Sequence, residues 1–146
     1  MLNIKTATHE ECLDILSEPR LFNILPIEPG GTLEDYLKTT DVVFRLMVFG
    51  KYKTLFHVDF IGHGNYQFHI LCPKASIPQS RKMGIMAIYW AFHVYKGSIV
   101  SLYCECPHGK MANLCRKIGA TELKSKNGMA CFRVTPEYFK TSLLTV

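Results

Sequence analysis

From Tyr66 to Cys104 the sequence reads as strand, helix and strand, and that succession constrains the fold more than any other part of the chain. Tyr66–Cys72 carries the aromatic and aliphatic residues of a strand before Pro73 interrupts ladder pairing. From Gln79 to Tyr95 the residues Met83, Ala87, Trp90, Ala91 and Val94 recur at helical spacing and mark one buried face, and Gly97 ends that helix. Ser98–Cys104 is then an apolar strand. Two strands joined by a crossover helix are expected to lie parallel, because a tight hairpin can join only antiparallel ones.

The flanking segments read locally. Leu2–Ala7 alternates as a short strand, and Thr8 with Glu11 forms a capping box that opens a helix limited by Pro19. Thr32 with Asp35 caps a second helix. Val42–Phe49 and Tyr52–Ile61 form a hairpin around Gly50-Lys51, and a turn at Gly62–Asn65 leads into the Tyr66 strand. After Cys104, Pro107 suits a helix start, Met111, Leu114, Cys115 and Ile118 stripe the helix, and Gly119 closes it. Thr121–Ser125 and Met129–Val134 form a last hairpin at Asn127-Gly128. The expected architecture is one α/β domain over residues 1–146, a mixed sheet in the order β-α-α-β-β-β-α-β-α-β-β.

Composition fits that expectation. The 146 residues are 48% hydrophobic and 20% charged, close to the globular average, and disordered and fibrous classes are excluded. No apolar run reaches the roughly 18 residues of a membrane span, and the first residues lack the pattern of a secretory signal. The expected address is cytoplasmic, where the six cysteines stay reduced. The formal charge of +5 suits an anionic partner, but the basic residues fall in loose groups at Arg81-Lys82, Arg116-Lys117 and Lys124–Lys126 rather than one block. Lys51-Tyr52-Lys53 is the one basic and aromatic cluster and reads as a hairpin turn, so nucleic acid is not the expected partner.

One segment carries chemistry. Pro78–Met86 opens the crossover helix, and a helix N-terminus offers backbone N–H groups and a partial positive charge to an anion. Arg81 and Lys82 add full charges to that turn, and Gly84 lets a phosphate approach the backbone. Cys104-x-Cys106-x-His108 with Cys115 invites a metal reading, but the spacing is not that of a zinc knuckle, and no metal is expected. Gly62-His63-Gly64 lacks the Gly-Lys-Ser/Thr of a P-loop and reads as a turn, and no Gly-x-Ser-x-Gly is present.

The order of elements resembles that of the Gcn5-related N-acetyltransferase (GNAT) superfamily over nearly the whole chain. Pro78-Gln79-Ser80-Arg81-Lys82-Met83-Gly84-Ile85-Met86 is similar to the family's proline followed by Arg/Gln-x-x-Gly-x-Gly/Ala, with Met86 standing where Gly or Ala is usual. Leu114-Cys115-Arg116-Lys117-Ile118-Gly119-Ala120 is similar to the family's Leu-Tyr-x-Lys-x-Gly-Phe. Cys115 stands where many members carry the tyrosine that protonates the departing coenzyme A thiolate, and His108 where they carry asparagine.

The resemblance implies a fold that binds acetyl-CoA as cosubstrate and transfers its acetyl group to an amine. It points to Leu71, Arg81, Lys82, Met83, Gly84, Ile85, Met86 and His108 for the cofactor. Such a transfer needs a base near the strand ends, for which Glu105 and His69 are candidates, and an acid, for which Tyr103 or Cys115 stands in. The acceptor is expected to meet the segment from about Leu21 to Thr40, and a homodimer stays open. The departures at Met86, His108 and Cys115 leave a second class open: a catalytically degenerate bacteriophage protein with a role in head assembly or the virion, which the C-terminal third also resembles.

Overall fold

The computed structural model describes residues 2–95, 99–137 and 139. Strands β1 (Leu2–Thr6), β2 (Arg45–Phe49), β3 (Tyr52–Gly62), β4 (Asn65–Leu71), β5 (Ser101–Cys106), β6 (Thr121–Lys126) and β7 (Met129–Val134) make one mixed sheet in the order β1-β2-β3-β4-β5-β7-β6. The helices are α1 (His9–Leu16), α2 (Pro19–Phe22), α3 (Leu33–Thr39), α4 (Ser80–His93) and α5 (Lys110–Lys117), with a 3-10 helix over Lys74–Gln79. The α/β fold class with a mixed sheet is as expected from the sequence. Among the described residues no helix is long and apolar enough to cross a membrane. The chain forms two compact units, one of Met1–His57 with Ile70–Ser80, the other of Val58–His69 with Arg81–Val146.

In the first unit, β1, β2 and the first half of β3 form an antiparallel meander, with Leu46 opposite Leu55. Those two leucines are buried with Cys12, Ile15 and Leu16 of α1, Leu21 of α2 and Leu33 of α3, so the helices cover one face of the meander. The capping box is present: the Thr8 side chain accepts from the Glu11 N–H, and the Glu11 carboxylate accepts from the Thr8 N–H at 2.8 Å. Thr32 caps α3 by accepting from the Asp35 N–H. Pro19 does more than limit α1, since it opens α2, a short helix absent from the sequence reading.

The segment leaving β4 is held by side chains far away in sequence. Arg20 donates to the Cys72 carbonyl at 2.6 Å, Glu18 accepts from the Lys74 N–H at 3.0 Å, and the buried Ser76 hydroxyl bonds both the N–H and the carbonyl of Lys53. These bonds fix the 3-10 turn that runs straight into Ser80.

In the second unit β5 pairs parallel with β4, Asn65 to Gln67 against Ser101 to Tyr103, and antiparallel with β7. The parallel pairing expected of the crossover is therefore present. Cys106, Ala130 and Phe132 on one face of this sheet pack with Ala112 and Cys115 of α5. Arg116 ties α5 to β6 through paired bonds to Glu122 at 2.8 and 2.9 Å. The last hairpin turns at Asn127 and Gly128, both at positive φ (53° and 77°), the geometry that Asn-Gly supplies.

Among the boundaries that differ from the sequence reading, four have a visible cause. β2 begins at Arg45 rather than Val42, opposite Thr6, while Val43 stays exposed. α4 ends at His93, where the Val94 and Tyr95 N–H groups both bond to the Trp90 carbonyl, so Val94 is 63% exposed and outside the buried face. β5 runs over Ser101–Cys106 rather than Ser98–Cys104, so Glu105 lies within the strand and not after it. α5 starts at Lys110 after Gly109, whose φ of 132° suits glycine, so Pro107 is not its opening residue. The expectations for Gly97 and Ser98 lie outside the described residues.

Replacing Thr8 by Ala removes one half of the capping box and is expected to lower stability by about 1 kcal/mol. The urea midpoint should fall with an unchanged slope, and Thr8→Asp should restore it.

Candidate active site

Strand parity brings three of the four candidate catalytic residues together. Tyr103 and Glu105 alternate onto one face of β5, the face opposite the one that packs on α5. Asn65, Gln67 and His69 lie on the matching face of β4, since Asn65 pairs with Ser101 and Gln67 with Tyr103. The Ser101 hydroxyl donates to Asn65 Oδ1 at 2.6 Å and the Tyr103 hydroxyl donates to Glu105 Oε1 at 2.9 Å, which marks the face as polar. His69 Nε2 stands 3.8 Å from Asp59 Oδ2 on β3, with both side chains about two-fifths exposed.

The ladder between β4 and β5 stops, among the described residues, at Gln67 and Tyr103, although β4 continues to Leu71 and β5 to Cys106. His69 and Glu105 therefore sit just past the last parallel pair. In open α/β sheets ligands bind beyond the carboxyl ends of parallel strands.

The environment of Tyr103 keeps its proton in place. A hydrogen bond with the Cys131 thiol, then partial burial and the Glu105 carboxylate, together push the phenol above its ordinary value. The residue can donate a proton in the neutral form and resists standing as phenolate.

Cys115 lies apart from this face. Its thiol is buried on α5 against Cys106, and burial, with the Cys106 thiol second, pushes it up to about 12. Cys104 is raised for the same first reason. All six cysteines are free thiols. Among the described residues Cys104, Cys106, His108 and Cys115 do not gather as a metal-binding group.

For the anion, Arg81 at the start of α4 is exposed and Lys82 half-buried, so both heads can reach solvent. Met83, Gly84 and Ile85 are buried within α4, the N–H groups of Gly84 and Ile85 fall past its open first turn, and Met86 is half-buried. Leu71 closes β4 and is buried in the core of the first unit. His108 is exposed in the loop before α5.

Sequence reasoning missed Asp59 and the Asn65–Ser101 bond. The available signal was alternation within Val58–Gly62 and Asn65–His69, but without the strand pairing it does not say which polar residues meet.

No family model matches the chain, and no curated protein matches it. Solved structures do. A chimera of the spermidine N-acetyltransferase SpeG from Vibrio cholerae with hSSAT superposes with a TM-score of 0.70 at 13% identity, covering 94% of this chain and 97% of that one. A mutant form of SpeG from Vibrio cholerae gives 0.69 at 14% identity, covering 94% and 95%. An uncharacterized protein from Bacillus halodurans gives 0.68 at 12% identity, covering 94% and 86%. None of these three is named as a virion protein. At such identities the likeness concerns the fold alone, and this chain shares its fold with those N-acetyltransferase structures.

The thiols supply a test. Iodoacetamide at pH 8 should leave Cys104 and Cys115 unmodified in the native protein and label all six cysteines in urea, as counted by mass spectrometry. The folded state holds the Cys115 proton more tightly than the unfolded chain. That contribution is intact below the ordinary thiol value of 9.0 and is lost as pH rises toward about 12, so denaturation midpoints should fall across that window.

Proposed function

We propose that this chain is an N-acyltransferase that moves the acetyl group of acetyl-CoA to a primary amine. The observation that carries the reading is the end of the parallel β4–β5 ladder at Gln67 and Tyr103, with both strands running on and a crossover helix between them that opens on Arg81 and Lys82. A pyrophosphate at that opening turn would meet backbone N–H groups, the helix dipole and two cations. The half-buried Met86 limits how closely a phosphate approaches the second turn.

The side chains past the ladder suit the transfer. An amine is protonated near neutral pH and must lose a proton before its nitrogen attacks the thioester carbon. His69 and Glu105 are the proton acceptors available on that face, and Tyr103 is the acid that can hand a proton toward the departing sulfur. Cys115, buried on the α5 side of the sheet and away from these groups, is poorly placed for that second role.

Charge supports a cationic acceptor. Residues 1–41 hold eight of the 12 acidic residues and only three of the 17 basic ones. Glu10 and Glu11 on α1 and Glu34 and Asp35 on α3 stand in the first turns of their helices. A segment of that sign draws in cations. The structures of like fold named above include spermidine N-acetyltransferases, so polyamines are the first acceptors to try.

Isothermal titration with acetyl-CoA, followed by detection of free coenzyme A thiol with spermidine present, tests the proposal. Binding and spermidine-dependent thiol release are expected. Arg81→Glu should weaken acetyl-CoA binding by about 10-fold or more, because a favourable charge at the phosphate becomes a repulsive one. No binding heat at millimolar acetyl-CoA would remove the enzyme reading.

A further inference from the structure

Side chains two apart on a strand point the same way, so His57 and Asp59 share one face of β3. His69 meets them from β4, the next strand of the sheet, with its Nε2 3.8 Å from Asp59 Oδ2. Each of the three offers one donor atom, and those atoms all lie within 4.8 Å of one another. Among the described residues no other group of histidine, cysteine or acidic side chains gathers in this way. The usual sequence sign of a metal site is ligands closely spaced along one segment, and this set escapes it because His69 comes from a second strand.

The donors have a chemical preference. Two imidazoles and one carboxylate suit a divalent transition ion such as Zn2+, whereas Mg2+ and Ca2+ take oxygen ligands almost alone. Two ligands of one tetrahedral ion stand roughly 3.4 Å apart when the bonds are about 2.1 Å long. Asp59 and His69 are already near that separation, and the widest pair must draw in by at most about 1.4 Å, which small rotations about side-chain bonds supply. All three side chains are half-buried, so an ion can arrive from solvent and water can complete its coordination. The buried Phe44 ring stands edge-on to the His57 ring, with centroids 5.4 Å apart and planes at 77°, and limits the directions that imidazole can take. The three residues also engage other neighbours, which an ion would displace or share.

We infer that His57, Asp59 and His69 form a binding site for one divalent transition-metal ion of the Zn2+ kind, with water in the remaining positions. Such a site needs neither acetyl-CoA nor an amine and is independent of the acyltransferase reading. Where both hold, the ion takes up a lone pair of His69, and Glu105 is then the proton acceptor left on the polar face.

The test uses the full chain, cleared of metal by a chelator that is then removed. Zn2+ is titrated in competition with a chromophoric chelator, and Co2+ is added separately as a spectroscopic stand-in. One equivalent of Zn2+ should bind at micromolar concentration, and the thermal midpoint should rise with it. His57→Gln, Asp59→Asn and His69→Gln should each weaken binding by about 10-fold or more, a loss that even a partner outside the ligand set can bring. The Co2+ complex should lack the sulfur-to-metal charge-transfer band that thiol ligands would give.

Failure of Zn2+ to bind at micromolar concentration overturns the site, and so do smaller losses than these in the folded variants. A sulfur charge-transfer band overturns it too, because the ion then sits on cysteines. Circular dichroism shows which variants fold; should none do so, the imidazole resonances of the unmodified chain decide. Zn2+ should shift the ring signals of His57 and His69 among the six histidines, and shifts confined to other histidines, or none at all, overturn the site.

Discussion

Three residue pairs, Asn65 to Gln67 against Ser101 to Tyr103, are the constraint on which the candidate site depends. A parallel pair needs a long crossover, and α4 provides it; that requirement puts a helix start near the strand ends. The pairing also sets which side chains share a face. Because it is in register at Tyr103, Glu105 falls on the face that carries His69 rather than on the buried face with Cys104 and Cys106. A slip of one residue would turn the polar row into the core and expose the thiols. The short ladder therefore fixes which side chains share the face past its end.

Elements specified by neighbours in sequence were legible. Thr8 and Glu11 close on each other three residues apart, and Asn127-Gly128 can take the positive φ of its turn whatever surrounds it. The crossover and its parallel strands were legible too, because they follow from the order of periods along the chain. What failed was the extent of strands. Ile99 and Val100 look like the start of β5, but the ladder begins at Ser101, where Asn65 stands ready to pair, and Val100 remains exposed. A strand ends where its partner ends, and the partner is not local.

The site was legible in kind more than in arrangement. His69, Tyr103 and Glu105 stood out as titratable side chains near strand ends, and the structure places them on one face. Asp59 could not be found, because a carboxylate in a β-rich stretch gives no sign of the strand it faces. The grips of Glu18 and Arg20 on Lys74 and Cys72 were equally hidden, being contacts over more than 50 residues between a side chain and a backbone that any residue could supply. Among the described residues every buried side-chain nitrogen or oxygen has a hydrogen-bond partner, so the polar face costs the core nothing in unmet donors.

Five of the six thiols lie in the interior, and all six are unpaired. The native packing is then the thing that shields those five from oxidants. A chain opened in air presents six equivalent sulfurs that can join in many wrong pairs, each of which locks out the native arrangement. Whether this molecule regains its shape after denaturation is thus decided less by its folding energetics than by the reductant in the vessel.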